Sequence, residues 1–208
     1  MRSTAQRRVH TVTTAFLICG IILFQHVAGW AEELKALSAS TPAPQGFSWR
    51  YFKDIHAKFL VPDGWFVKEG DKVVDTKAVF ISEESIEKEG MFHTGLTVNV
   101  TPQVVKKSGM QASDYALMRL NDFLSGSVRT WSKVLNVKTY GSYSFHDYSA
   151  FSVVETSFGS VTRYLLMRSN DQTGTLYIFC FESPESLWEE ASKVGRTIMD
   201  NLGLDPEF

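Results

Sequence analysis

From Leu176 to Phe181 every residue is apolar, and few folds have room for such a run. Side chains of an extended chain alternate, so Tyr177, Phe179 and Phe181 point one way while Leu176, Ile178 and Cys180 point the other. A strand with one wet face would alternate apolar with polar, so this one must be covered on both sides. A second strand-like run at 161–168 precedes it across the polar loop Ser169-Asn170-Asp171-Gln172-Thr173-Gly174. The glycine can take the positive φ that closes a hairpin. One cover follows at once. Ser183 is placed to cap a helix, Pro184 suits its first position, Glu185 complements its dipole, and the helix runs towards Gly203. Leu187, Ala191, Val194, Ile198 and Leu202 recur at helical spacing as the face expected to meet the strands, with Gly203 and Leu204 as a Schellman-type end.

Upstream, Phe47, Trp49 and Tyr51 alternate with Ser48 and Arg50, predicting a first strand, and 57–61 predicts a second before Pro62-Asp63-Gly64 turns the chain. Trp65 and Val67 open another extended piece. Further strands are expected at 77–82 and 96–101, separated by the acidic stretch 83–90, which reads as solvated surface. A helix follows: Ser113 caps it, Asp114 favours its start, Leu117, Leu120, Phe123 and Leu124 repeat at helical spacing, and Gly126 ends it. Strands at 134–140 and 148–157 precede the hairpin. Segregated strands and two amphipathic helices predict an α+β domain at 47–208, one antiparallel sheet between helices.

The N-terminus carries different information. Arg2, Arg7 and Arg8 precede an apolar run at 15–24, and the small residues Ala28, Gly29 and Ala31 follow. That order predicts a secretory signal at 1–31, then a linker at 32–46, and a periplasmic or secreted domain. The alternative is an inner-membrane anchor formed by residues 11–30, which would give the protein its membrane contact. The chain holds 21 basic and 23 acidic residues; without the three arginines of the signal the balance is 18 against 23, a net of −5. A nucleic-acid binder needs a basic surface, so that class is disfavoured. With the signal removed Cys180 is the remaining thiol, which rules out an internal disulfide and places it as a small apolar strand residue.

The turn Phe59-Leu60-Val61-Pro62-Asp63-Gly64-Trp65 resembles the apolar-Pro-x-Gly-Trp turn near the domain start of the PsbP-like family, exported proteins named for an extrinsic subunit of photosystem II. The order of strands and helices through Leu202 is similar as well. The resemblance implies an α/β/α sandwich, a role without catalysis, and docking to a larger assembly. It implies no active-site residues.

The residues themselves point the same way. Catalysis needs a nucleophile with its base, or a metal with three or more ligands, and neither is spelled out. His146-Asp147 reads as an exposed turn between two strands. Neither a cofactor nor a metal site is expected, and no enzyme. Among the aromatic residues, Trp131 and the segment holding Tyr143, Phe145 and Tyr148 are expected to be exposed and to meet a partner. The expected function is an exported binding or assembly-support module that docks an envelope protein. The alternatives are a lipid or small-ligand carrier, which would need an apolar pocket, and an enzyme whose site is assembled from distant residues.

Overall fold

In the computed structural model, which describes residues 41–73, 76–86, 91–140, 143–157 and 159–208, the two-faced run occupies the centre of the molecule. The expected signal and most of the expected linker lie outside the described residues. The elements are β1 (Phe47–Phe52), β2 (Ala57–Pro62), β3 (Phe66–Val73), β4 (Thr76–Ser82), β5 (Gly95–Thr101), α1 (Val104–Ser108), α2 (Ala112–Ser125), β6 (Arg129–Tyr140), β7 (Tyr143–Thr156), β8 (Gly159–Asn170), β9 (Thr175–Pro184), α3 (Trp188–Met199) and β10 (Leu202–Leu204). Seven strands pair antiparallel in the order β3-β4-β5-β9-β8-β7-β6, with β9 in the middle.

Each face of β9 feeds its own core. Tyr177, Phe179 and Phe181 pack with Leu96 and Val98 of β5, Phe59 of β2, and Ile198 and Met199 of α3. Leu176, Ile178 and Cys180 pack with Ala116 and Leu120 of α2 and with Leu165 and Met167 of β8. Full burial of one such side chain stabilises by roughly 1.5–3 kcal/mol, so a strand buried on both faces anchors both layers. The expected α+β sandwich is the arrangement found, with one addition. β1, β2 and β10 form a separate three-stranded antiparallel sheet on the α3 side, where Phe52 stacks on Phe59 at 4.5 Å and Phe59 meets Phe179 edge-on at 6.5 Å.

Both ends of α3 differ from the sequence expectation. Ser183 and Pro184 do not start the helix; they continue β9, opposite Thr162 and Val161 of β8. The Ser183 hydroxyl accepts from Thr94 Oγ1 at 3.4 Å. Pairing with β5 stops at Glu182, so the N–H that Pro184 lacks is not needed on that side. A single 3-10 turn, Glu185–Leu187, then leads into α3. Leu187 stays outside the helix and is 56 % exposed. At the other end α3 stops at Met199, and Leu202–Leu204 becomes β10 against β2 instead of a Schellman end. Ala191, Val194 and Ile198 do face the core.

The α2 cap is corrected as well. The helix begins at Ala112, one residue before the expected cap, and Gln111 makes no side-chain cap bond. The cap comes from the β8–β9 turn instead: Asp171 Oδ1 accepts from the Ser113 N–H at 2.7 Å and Oδ2 from its hydroxyl at 2.7 Å. That turn is closed by Gly174 at φ +70°. Its Asn170 Oδ1 accepts from the N–H groups of Gln172 and Thr173, and the Asn170 amide donates to Pro206 O at 2.8 Å. Leu120 is buried and Phe123 and Leu124 pack against the core, whereas Leu117 is exposed.

Candidate functional site

The aromatic residues expected to form an exposed patch do not gather. Tyr143, Phe145 and Tyr148 belong to a continuous strand, β7, not a loop. Phe145 is 1 % and Tyr148 7 % exposed. β7 lies inside the sheet, between β6 and β8, and Tyr148 joins the core on the α2 side, a burial that a reading of the segment as a turn could not register. The side chains of Trp131 and Tyr143 lie outside the described residues. Their backbones are far apart: Trp131 pairs with Phe151, while Tyr143 pairs with Tyr140 at the tip of the hairpin, nine residues along β6 and hence roughly 30 Å away.

His146-Asp147 is likewise strand rather than turn. Asp147 stands opposite Arg168 of β8 and accepts two bonds from it, from Nε and Nη2, each at 2.7 Å, with both side chains buried. A buried pair of this kind holds register more than it adds stability, but removing one member leaves a charge in the interior. On the opposite face His146 Nε2 lies 3.8 Å from Asp171 Oδ2, the oxygen that also accepts from Ser113. Serine, histidine and aspartate thus meet, in an order unsuited to hydrolysis. A triad sets the imidazole between hydroxyl and carboxylate so that it can take the hydroxyl proton; here the carboxylate holds the hydroxyl directly and serves as a helix cap. Cys180 is buried. Burial, with Glu182 adding, pushes its thiol far up, so thiolate is scarce at neutral pH.

A concave surface lies elsewhere on the domain. The core on the α3 side takes Tyr164 and Leu166 from β8, and beside them a groove of about 690 Å³ opens between α3 and the β7–β8 surface. Phe151 and Thr162 make its floor, and Trp188, Ser192 and Arg196, spaced four residues apart on one helix face, make its wall. Phe151 stacks on Tyr164 at 4.5 Å, and Trp188 closes against Phe151 edge-on at 6.3 Å and against Phe181 at 6.1 Å. The rings are thus immobilised, which lowers the entropy lost when a ligand stacks on them. Burial, with help from Asp200, raises the Tyr164 phenol above its ordinary range, so it stays a protonated donor. At one end Glu185 accepts from Arg129. Val128 and Leu187, neighbours of those two residues in sequence, are among the most exposed large apolar side chains.

Trp188 and Arg196 fall outside the helix face expected to meet the strands, Leu187, Ala191, Val194, Ile198 and Leu202, so helical spacing alone does not single them out. Phe151 lay in an expected strand without a sign of which face it served. Trp131 is the one expected contact whose backbone borders the groove, by its pairing with Phe151.

No protein-family model matches the chain, and no curated protein matches its sequence. Solved structures do resemble it. Cyanobacterial PsbP (CyanoP) from Synechocystis sp. PCC 6803 superposes with a TM-score of 0.50 at 13 % identity, over 81 % of this chain and 100 % of that one. The Ran-binding protein Mog1p of Saccharomyces cerevisiae gives a TM-score of 0.42 at 11 % identity, over 76 % of this chain and 95 % of that one. The fold is therefore PsbP-like, as the turn at Pro62–Trp65 implied. Among the described residues no helix is long and apolar enough to cross a membrane.

Proposed function

We propose that this chain, a PsbP-like fold, is an exported, non-catalytic module that docks an envelope protein through the groove between α3 and the β7–β8 surface. The observation that carries the proposal is the groove's lining: Trp188 set edge-on to Phe151, which is braced from beneath by Tyr164, with Arg196 beside them. Trp and Arg are among the residue types that dominate interface energetics when they sit in a preformed site. Four of the eight lining residues are charged and the groove is open to solvent, which suits a protein surface better than an apolar lipid chain. Fold likeness supports this only by analogy. Export rests on the charged, apolar, small-residue order of residues 1–31.

The test is site-specific photocrosslinking in intact cells, with the crosslinker at Lys193, an exposed residue of the groove, or at Lys106 on α1 as control, followed by mass spectrometry. A recurrent envelope protein captured from Lys193, absent from Lys106 and lost with Trp188→Ala, is the expected result. Recovery of the domain alone with a bound lipid in native mass spectra would favour the carrier instead. An intact Met1 terminus in the membrane fraction would replace the cleaved signal by an anchor.

A further inference from the structure

The groove has an electrical polarity that its aromatic floor does not explain. Glu185 and Glu189 stand at the end where α3 begins, and Lys193 and Arg196 towards the end where it finishes. Glu185 is engaged by Arg129 and Lys193 by Glu190. Glu189 and Arg196 are both exposed, line the groove, and make no ion pair among the described residues. Seven residues apart, they lie on one helix face, two turns or roughly 10 Å from each other. Acidic residues early and basic residues late suit a helix dipole, which accounts for their order but not for both facing the groove.

We infer that the groove receives an extended protein segment carrying a basic and an acidic residue four positions apart with an aromatic residue midway between them. This rests on the reading of the groove as a docking site. An extended chain advances about 3.3 Å per residue and its side chains alternate, so residues at i, i+2 and i+4 share one face; charges at i and i+4 stand roughly 13 Å apart and reach Glu189 and Arg196 together through their flexible stems. The intervening ring then reaches Phe151 and Trp188, in the edge-on or offset geometry that aromatic pairs prefer.

The test uses the full chain and three fluorescein-labelled probes that differ only in charge: Gly-Lys-Gly-Phe-Gly-Glu-Gly, the same peptide with glutamate at both charged positions, and the same with lysine at both. Anisotropy titration should give the mixed peptide about five-fold tighter binding than either like-charged one, the scale of one exposed ion pair. Glu189→Lys should transfer the preference to the doubly acidic peptide, and Arg196→Glu to the doubly basic one. Equal binding of the three peptides, preferences that do not follow the swaps, or no binding of any probe would overturn the inference. If Trp188→Ala still weakens all three, the groove stands as a docking site without this charge reading. If Trp188→Ala changes none of them, the groove itself is not where the peptides bind.

Discussion

Gly195 of α3 lies directly over the ring of Phe181 in β9: a Cβ on that glycine would stand 2.5 Å from Phe181 Cδ1 and 2.7 Å from its Cγ. Helix and sheet touch there through a hydrogen atom. Phe181 is a fully packed core residue and has nowhere to move. Alanine favours a helix over glycine by about 1 kcal/mol, yet inserting a methyl group into a packed core costs about 1–3 kcal/mol. Gly195→Ala should therefore lower stability by up to about 2 kcal/mol in urea denaturation. A stabilised variant would mean that α3 sits further from the sheet.

Tyr177 presents the opposite case. Its ring is fully buried, and its hydroxyl has no hydrogen-bond partner among the described residues. An unsatisfied buried hydroxyl costs about 1–3 kcal/mol, so Tyr177→Phe should raise stability by about 1 kcal/mol at neutral pH.

The same burial sets the response to alkali. Desolvation raises the phenol of Tyr177 and the thiol of Cys180 above their unfolded values. Groups raised in the folded state contribute stability that is complete below the unfolded pKa and declines as pH rises above it. Unfolding free energy should thus fall from about pH 8.5, as unfolded thiols ionise, and more steeply above about pH 10, where tyrosines join. The double variant Tyr177→Phe with Cys180→Ala should show a shallower decline in pH-dependent denaturation; an unchanged slope would place the alkaline transition elsewhere.

Asp171 ties the β8–β9 turn to the start of α2 through the Ser113 N–H and hydroxyl. Losing an N-terminal cap costs about 0.5–2 kcal/mol, and Asp171→Ala should fall in that range. In a double-mutant cycle with Ser113→Ala the two losses should be less than additive, because the hydroxyl bond is shared. Strict additivity would show that the two side chains act independently.

Arg168→Met leaves Asp147 buried without its bidentate partner and should cost about 3–5 kcal/mol. Replacing both, with Asp147→Leu added, should recover much of that loss. A single variant as stable as the parent would mean that water reaches the pair.

Much of this was legible in the residues themselves. Strand alternation is a local signal with a period of two, so the two apolar faces of 176–181, the hairpin at 169–174 and most strand positions followed from adjacent residues. The close of α2 at Gly126 was equally local. What the chain could not show is which of two locally acceptable states wins when a distant partner is supplied. Ser183 and Pro184 make a good helix start, yet β8 offers them pairing that outweighs a cap. Leu202 has helical spacing, yet β2 offers it an edge. Phe145 and Tyr148 look like loop aromatics until their segment joins the sheet as β7, where both are buried. The groove belongs to the same class. It exists because α3 packs over β9 at Gly195 and leaves Phe151 and Trp188 facing each other, and a distance between residues far apart in sequence is set only by packing.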